Sequence, residues 1–384
     1  MVFEENPRNI TLKELVFFAY KYYVKNYKTG VKSDFQTVEN QQIVLCQGQP
    51  SLTIAIGGDL MPYKMITPKN CKNMWKEAQF FFEADIVLAN LETPIDLTKK
   101  ESFVPELMIN NMNFNSSEEQ FNVFENFGHS KGYDVLTFAN NHTLDMGYEG
   151  IKNTLNFLNG KNIAVCGVGE QNTHIILTKE GIKVGFAAFT FSLNQYQADT
   201  NHPIKINVLP LNKPQSKVSK TIIAEIDTLK NSGADFVILS LHTGNAYQPF
   251  PGPQTIELFK TIAQNCDVDA IIGGHPHNIQ PLEIINKSNK KVFMAYSLGD
   301  FIAYDIYNRC HLTLCLQLNI GWVNKTITLL SINVRCMLME YKQGLLNLKD
   351  FDKMMCENSF VENKMLQDLK WLYLTTLKNK HNFE

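Results

Sequence analysis

Two histidines that stand one residue apart, His275 and His277, are the pair in this sequence best placed to bind a metal. An apolar run over residues 268–272 precedes them and predicts a buried strand that stops at a glycine pair. Pro276 lies between the histidines, fixes φ and removes an N–H, so we expect a rigid loop. Such a loop aims two imidazoles at one point on the sheet edge where α/β proteins bind ligands. The alternative is a pair of ordinary loop histidines.

Four more predicted strands end in residues that can bind a metal or transfer a proton. These residues are Asp59, Glu92, Asn141 with His142, and His242. Taken singly, each has an ordinary explanation, such as a turn, a helix cap, a solvated carboxylate or a core histidine. The carboxyl ends of parallel strands meet at one edge of a sheet, so five such strand ends together indicate a shared site.

The mixture of carboxylate, amide and imidazole groups predicts a particular metal chemistry. Mixed oxygen and nitrogen donors suit Zn, Mn or Fe rather than Ca or Cu(I). The set is larger than one four-coordinate ion needs, which indicates two divalent ions bridged by a carboxylate. Paired ions about 3.5–4 Å apart can activate water and stabilise both the attacking and the leaving oxygen. The pattern therefore favours hydrolysis of a phosphoester or an amide.

The elements that must position these residues alternate between apolar strands and amphipathic helices, which predicts an α/β fold. Strands are predicted over residues 52–56, 85–91, 134–139, 163–165, 181–191, 235–241, 268–272 and 291–298. Residues 311–320 and 326–334 are predicted to form a hairpin. Helices are predicted over residues 71–82, 117–131, 147–159, 217–231 and 254–265, and residues 340–384 are predicted to be helical.

The chain divides into a central domain with two flanking segments. Residues 1–48 form an N-terminal segment in which Thr11 and Glu14 make a capping box, and the predicted helix runs to Tyr27. Residues 49–338 form the central domain, and residues 339–384 are predicted to be C-terminal helices packed on it.

Composition excludes several classes of protein. A formal net charge of −2 over 384 residues gives no electrostatic case for nucleic acid binding. Eight scattered cysteines without a Cys-x-x-Cys pair favour reduced thiols over a disulfide framework. Neither a signal peptide nor a transmembrane segment is evident, so we expect a cytoplasmic protein. Export by a route that needs no signal is left open, as is the oligomeric state.

The motifs resemble those of the CapA (poly-γ-glutamate capsule biosynthesis) family, a branch of the calcineurin-like metallophosphoesterase superfamily. They run in the family's order over roughly residues 51–305. The matching stretches are Gly58-Asp59-Leu60-Met61, Asn90-Leu91-Glu92-Thr93-Pro94-Ile95, Ala139-Asn140-Asn141-His142 with Asp145 and Gly147, His242-Thr243-Gly244, Gly274-His275-Pro276-His277 and Tyr296-Ser297-Leu298-Gly299-Asp300-Phe301. The resemblance implies a four-layer αββα sandwich of the metallophosphoesterase type, with extra N- and C-terminal helices.

The resemblance also implies a role for each matching residue. It makes Asp59, Glu92 and His277 ligands of metal one, with Glu92 bridging the two ions. It assigns three further residues, named below, as ligands of metal two. It also makes His142 and Asp59 catalytic residues. The ligands expected for metal two are Asn141, His242 and His275, and the residues expected to contact substrate are Asn90, Asn140, Lys64 and Asp300.

Three departures from the family pattern bear on substrate recognition and on metal one. The superfamily's Asp-x-His motif is Asp59-Leu60-Met61 here, which CapA-like proteins share and which leaves metal one with fewer protein ligands. Thr243 and Ala246 stand where the family usually has a tryptophan and an acidic residue. Asp300 replaces an asparagine and adds a carboxylate near the sheet edge.

Two functions follow as hypotheses from different classes. The first is a metal-dependent hydrolase that acts on an anionic small molecule or polymer, through a phosphoester or a γ-glutamyl amide bond. The second is a non-hydrolytic accessory in the synthesis or export of poly-γ-glutamate or another capsule polymer, with the metal site used to bind polymer. A structural relic without metal is the third alternative.

Overall fold

The protein is an α/β sandwich of two β-sheets with helices on both outer faces. This computed structural model describes residues 35–38, 41–105, 113–213, 216–288, 290–357 and 364–378, together with Leu12, Lys13, Val16 and Tyr20. In chain order the strands are β1 Gln42–Val44, β2 Leu52–Leu60, β3 Ile86–Leu91, β4 Val135–Thr137, β5 Ala164–Cys166, β6 Val168–Gly169, β7 Ile175–Lys179, β8 Ile182–Thr190, β9 Lys205–Ile206, β10 Phe236–His242, β11 Ala270–Gly274, β12 Leu282–Asn286, β13 Lys291–Ala295, β14 Asp300–Ile302, β15 Leu312–Val323, β16 Thr326–Lys342 and β17 Leu345–Asp350.

The helices lie mainly between consecutive strands. They are α1 Pro68–Cys71, α2 Glu118–Phe124, α3 Gly147–Gly160, α4 Ser216–Asn231, α5 Pro253–Asn265, α6 Phe351–Glu357 and α7 Lys364–Leu377. Short 3₁₀ helices cover Met74–Glu77, Gln79–Glu83, Asn126–Gly128 and Asn308–His311. None of these described helices has the length and apolar character needed to span a bilayer.

Each sheet has a block of parallel strands at its centre. The nine-stranded sheet has the order β1-β16-β15-β2-β3-β4-β5, with β14 paired to β2 and β17 paired to β16. The six-stranded sheet has the order β12-β13-β11-β10-β8-β7. Strands β2 to β5 are mutually parallel, and so are β8, β10, β11 and β13. Parallel strands buried on both faces explain the unbroken apolar runs in the sequence.

Alternating side chains along each strand build the layers. On β10, Phe236 and Ile238 point into the core between the sheets. Val237 and Leu239 point outward and pack with helices α4 and α5. Helices α2 and α3 pack in the same way on the outer face of the nine-stranded sheet. The predicted four-layer αββα arrangement is therefore confirmed.

Helix α7 closes the sandwich at one end. Leu369, Leu372 and Leu377 are buried in the core cluster that the two sheets share. The backbone N–H of Val38 donates to the carbonyl of Leu377 over 2.9 Å, so residues near the N-terminus are attached to this helix.

The secondary structure predicted for the C-terminal flanking segment is partly wrong. Residues 340–350 were expected to be helical, which is wrong, because β16 continues to Lys342 and β17 pairs with it over Leu345–Asp350. Buried and half-buried residues alternate along β17 with a period of two, which favours a strand. Most of the predicted helix from Thr11 to Tyr27 lies outside the described residues.

Two other expectations are corrected by the backbone. The helix expected over residues 71–82 is instead the short helix α1 followed by two 3₁₀ turns. Strand β2 was expected to stop at the turn of Gly57 and Gly58, but it continues through Asp59 with a register shift. Strand β11 likewise runs on through Gly273 and Gly274.

The glycines in β2 permit a close approach of neighbouring backbone. A Cβ atom on Gly58 would lie 1.9 Å from the carbonyl oxygen of Gly299, immediately before β14. The N–H of Asp59 donates to that same carbonyl over 3.2 Å. The missing side chain therefore lets β14 pair with β2 and brings Asp300 beside Asp59.

We expect Gly58→Ala to destabilise the protein by about 1–3 kcal/mol, the usual cost of forcing extra volume into a packed region. The matched control is Gly160→Ala at the exposed end of α3, where a Cβ would meet no atom within 4 Å. Urea unfolding gives the free energy of unfolding of both variants. Equal stabilities would show that the close approach of β14 to β2 is dispensable.

Candidate metal centre

The predicted strand ends do meet at one place, where the carboxyl edges of the two sheets face each other. Asp59 and Glu92 come from β2 and from the residue after β3, in the nine-stranded sheet. His242 ends β10 in the six-stranded sheet, and His275 and His277 follow β11. All five side chains are at least 95% buried. Residues separated by more than 200 positions in the chain thus share one buried site.

Two groups of side chains could each hold one metal ion. The first ligand cluster is Asp59, His277 and Asp300, and the second ligand cluster is Glu92, His242 and His275. Within each cluster, the three ligand atoms lie within 4.8 Å of one another.

The first ligand cluster is held together by hydrogen bonds around two carboxylates. Asp300 Oδ1 lies 2.8 Å from Nδ1 of His277, and Asp59 Oδ2 lies 3.9 Å from the same nitrogen. The backbone N–H of His275 donates to Asp59 Oδ2 over 3.2 Å. Burial raises the pKa of Asp59 to about 6 and that of Asp300 to about 8. These buried carboxylates therefore lack the solvation that ionised groups need.

In the same cluster, the pKa of His277 moves in the opposite sense to that expected from burial alone. Burial lowers it, but the neighbouring carboxylates of Asp300 and Glu92 outweigh that effect and hold the pKa of His277 well above its ordinary value. His277 and Asp300 form one hydrogen-bonded pair that titrates as a unit. Without metal, this pair retains a proton that a bound cation would displace.

The second ligand cluster contains a carboxylate without hydrogen bonds. Both oxygens of Glu92 are buried, and neither accepts a hydrogen bond from a described residue. Oε1 lies 3.4 Å from Nε2 of His242. Burial lowers the pKa of His242 well below its ordinary value, so the imidazole is neutral and that contact is not an ion pair. A neutral imidazole is the form that binds a metal ion.

Asn141 supplies an amide oxygen to the second ligand cluster. Its Oδ1 lies 2.7 Å from Nε2 of His242, and its Nδ2 donates to Oδ1 of Asn194 over 3.1 Å. Asn194 therefore fixes which end of the Asn141 amide faces the cluster. Asn194 itself has φ of 52°, a left-handed conformation that asparagine tolerates better than most residues.

The loop that carries the two histidines has a strained backbone. His275 has φ of 92° and His277 has φ of 58°. Residues other than glycine rarely adopt such values, and they persist where surrounding contacts enforce them. Gly274 precedes the loop, and a Cβ atom there would lie 2.9 Å from Asp59 Oδ1 and 3.3 Å from His242 Nδ1. The absent side chain keeps space open between the two ligand clusters.

His142 lies beside the ligand clusters with an oriented ring. Its Nδ1 lies 2.6 Å from Oδ2 of Asp145, and the imidazole stacks on Phe114 with ring centroids 3.8 Å apart. The backbone N–H of Phe114 also donates to Asp145 Oδ2, over 2.7 Å. His142 is close enough to His242 to contribute to lowering the pKa of that residue. A carboxylate-oriented imidazole is suited to donate or accept a proton.

Of the residues predicted to contact substrate, two also make hydrogen bonds that support the candidate ligands, and their contact with substrate stays a prediction. Asn90 Nδ2 donates to Asp59 Oδ1 over 2.8 Å and lies 3.4 Å from His242 Nδ1. Asn140 Nδ2 donates to the carbonyl of Leu91 over 2.7 Å. Asp300 belongs to the first ligand cluster. The remaining candidate, Lys64, is exposed, and its role in substrate binding stays a prediction.

Sequence reasoning assigned no role to two residues that shape this site. Asp145 lies within a matching motif, and its carboxylate orients the ring of His142. Asn194 follows β8, a strand that ends level with β10 at the same edge of the six-stranded sheet. The sequence signal for Asn194 is its position, since it is a polar residue three positions after the predicted strand over residues 181–191.

The donor set and its burial fit divalent cations. Mixed imidazole, carboxylate and amide donors match Zn, Mn or Fe. Glu92 gives the clearest indication of a missing cation. A buried carboxylate with no hydrogen-bond donor is costly unless a cation compensates its charge. The residues present therefore suit a pair of divalent ions.

Comparison with known proteins finds sequence relatives. A family model described as bacterial capsule synthesis protein PGA_cap matches residues 53–305. The PGA biosynthesis protein CapA of Bacillus subtilis (strain 168) is 26% identical over 262 residues, which are 65% of this chain and 63% of that protein. The capsule biosynthesis protein CapA of Bacillus anthracis is 26% identical over 224 residues, which are 57% of this chain and 50% of that protein. The chain thus spans between half and two thirds of the length of these two relatives.

Comparison with solved structures also finds similarities at low sequence identity. The calcineurin-like phosphoesterase YfkN from Bacillus subtilis has a TM-score of 0.41 and 14% identity, covering 86% of this chain and 99% of that chain. The 5′-nucleotidase precursor from Thermus thermophilus has a TM-score of 0.43 and 13% identity, covering 83% of this chain and 59% of that chain.

We expect Asn194→Ala to weaken divalent metal binding about 10–100-fold, the usual effect of removing a partner that orients a ligand. The amide of Asn141 would then be free to rotate its oxygen away from His242. Asn194→Asp keeps an acceptor oxygen and should bind metal nearly as tightly as the wild type. Competition with a chromophoric chelator measures each affinity. Wild-type affinity in Asn194→Ala would contradict the orienting role.

We also expect the metal-free protein to lose stability as pH rises from about 6.5 to about 8. The His277–Asp300 pair keeps a proton in this window that the unfolded chain has released, because both pKa values are raised by folding. Each proton that the native state binds in excess of the unfolded state lowers the free energy of unfolding by about 1.4 kcal/mol per unit rise in pH.

The measurement is urea unfolding in the presence of a chelator at both ends of this pH range. Asp300→Asn removes the partner that raises the pKa of His277, so its stability should depend less steeply on pH. Identical pH slopes for the wild type and Asp300→Asn would show that the pair does not hold the extra proton.

Proposed function

The chain belongs to the bacterial capsule synthesis protein PGA_cap family, and we propose that it is a metal-dependent hydrolase with two adjacent metal sites. The family match over residues 53–305 contains both ligand clusters and His142. The family resemblance inferred from the sequence motifs is thereby confirmed. The proposed substrates are anionic compounds with a phosphoester or γ-glutamyl amide bond.

The environment of Glu92 carries this proposal. Its oxygens belong to the second ligand cluster and have no hydrogen-bond donor among the described residues. Its charge also raises the pKa of Asp59 and of His277 in the first ligand cluster. A carboxylate close enough to influence both clusters would be able to bridge two cations.

Two bound divalent cations would supply the Lewis acidity that activates water and stabilises developing negative charge. The chain's own residues determine how that chemistry is directed. Asn90 and the strained His275–His277 loop hold the ligands in place. Asp145 accepts a hydrogen bond from Nδ1 of His142, which leaves Nε2 to carry a proton to the leaving group.

Selection of an anionic substrate depends on the cations more than on basic side chains. Among the described residues, no lysine or arginine forms an ion pair with either ligand cluster. A phosphate or carboxylate of the substrate would therefore be attracted by the metal charge and by His142. This arrangement suits both a phosphoester and a γ-glutamyl chain, which carries one carboxylate on each residue.

The printed names of the relatives favour a second function. They describe proteins of PGA and capsule biosynthesis rather than hydrolases. In that alternative, the same clusters bind an anionic polymer through metal ions during its synthesis or export, and no bond is cleaved. Metal binding is common to both functions, so only a measurement of turnover separates them.

We expect His142→Ala to lower kcat by about 10²–10⁴-fold, the usual contribution of a positioned acid or base. Metal content should be unchanged, because His142 belongs to neither ligand cluster. The assay uses aryl phosphates and γ-glutamyl peptides with the metal-loaded protein. His174→Ala is the control, since His174 is paired with Glu225 in another part of the fold.

Glu92→Gln tests the metal requirement in the same assay. We expect it to lose both bound metal and turnover, because the amide carries no charge to bridge two cations. Metal-loaded wild type without turnover on either substrate class would favour the polymer-binding function. Full turnover in Glu92→Gln would contradict both proposals.

A further inference from the structure

A third group of metal-binding side chains lies next to the first ligand cluster and shares one residue with it. This thiol cluster consists of Asp300, Asp305 and Cys310, whose ligand atoms lie within 4.8 Å of one another. The three residues are 2%, 6% and 1% exposed. Two ligands of one zinc ion lie at most about 4.6 Å apart, since zinc–ligand distances are about 2.0–2.3 Å. A small closure of the thiol cluster would therefore give it the dimensions of a metal site.

The thiol cluster has no lysine or arginine partner among the described residues, and the imidazole of His277 is the basic group that contacts Asp300. Asp305 accepts hydrogen bonds from the hydroxyl of Tyr63 and the backbone N–H of Tyr307, over 2.8 and 2.9 Å. Among the described residues, no lysine or arginine forms an ion pair with Asp300 or Asp305. Arg309 is directed elsewhere, with its ion pair to Asp368 and its stacking on Trp371. Buried carboxylates of this kind call for a cation.

A separate observation points to a ligand at this place. Asn278 is 1% exposed, and its Oδ1 lies 3.5 Å from Sγ of Cys310, so its side chain is directed at the thiol cluster. Its Nδ2 has no hydrogen-bond partner among the described residues. Asp300 uses Oδ1 to hold His277, and its Oδ2 is likewise without a partner among them. The unsatisfied Oδ2 of Asp300 and the Oδ1 of Asn278, which faces the thiol, are thus the oxygen atoms that could bind a cation beside Cys310.

We propose that Asp300, Asp305, Cys310 and Asn278 bind a third divalent cation, of the zinc class. A thiolate with oxygen donors favours Zn²⁺ over the hard cations Mg²⁺ and Ca²⁺. Binding forms a metal–sulfur bond and releases the thiol proton of Cys310 to water. Asp300 then joins this ion to the first ligand cluster, with one oxygen directed to each. The site does not depend on hydrolysis of any substrate.

Cobalt(II) provides the test, because it replaces zinc and gives a thiolate-to-metal charge-transfer band only when sulfur is a ligand. The full chain is produced in cobalt-supplemented medium, so that the ion enters during folding. We expect the wild type to show the near-ultraviolet band, and Cys310→Ser to lose the band together with one equivalent of cobalt. Neither ligand cluster contains a cysteine, so their cobalt cannot give this band.

Two control variants separate this site from other thiols. Cys336→Ser removes a fully buried thiol on β16, and Cys356→Ser removes an exposed one, and both should keep the band. Asp305→Asn retains the thiol and should lose the third equivalent of cobalt, which serves as the test if Cys310→Ser does not fold.

Cobalt-loaded wild type without the band would overturn the proposal, and so would a band that persists in Cys310→Ser. The band in a protein that hydrolyses no substrate would support the third site while the proposed hydrolase function fails. Hydrolysis of a substrate by a protein without the band would support the proposed hydrolase function and overturn the third metal site.

Discussion

Three buried carboxylates without a lysine or arginine partner among the described residues impose the main physical constraint on this protein. Asp59, Glu92 and Asp300 are each at least 98% buried, and no described lysine or arginine pairs with them. Ionised carboxylates in such a place cost several kcal/mol each unless a cation or a proton compensates them. Burial raises the pKa of Asp300 to about 8 and that of Asp59 to about 6, so protons compensate Asp300 at neutral pH and Asp59 only below about pH 6. The surrounding architecture is arranged so that divalent cations can replace those protons.

The backbone meets this constraint by letting elements approach more closely than side chains would allow. Gly58 admits the backbone of Gly299, which positions Asp300 next to Asp59. Gly274 keeps space open between Asp59 and His242. These glycines look like turn signals in the sequence, but their function is to make room within continuing strands. The strained loop with His275 and His277 adds a further local cost that the sandwich must offset.

Sequence patterns predicted the α/β class and the residues that meet at the candidate site because both depend on local features, whereas the four layers were implied by the family resemblance. Short apolar runs bounded by glycine or polar residues favour strands buried on both faces, and ligand-type residues directly follow them, as Glu92 follows β3. The pairing of β14 with β2 was not predictable in this way, because it joins positions 59 and 300 and depends on the absence of a Cβ atom. Residues 340–350 were mistaken for helix because charged and apolar residues there fit either period over so short a span. Asn194 was missed because its effect is exerted through another side chain, that of Asn141.

The division of ligands between the sheets has a mechanical consequence. In each ligand cluster, carboxylates come from the nine-stranded sheet and imidazoles from the six-stranded one. An ion bound in either cluster would therefore link the two sheets of the sandwich through coordination bonds. Separation of the halves during unfolding would break coordination bonds as well as apolar contacts, so ion availability during biosynthesis would govern how long the folded chain persists.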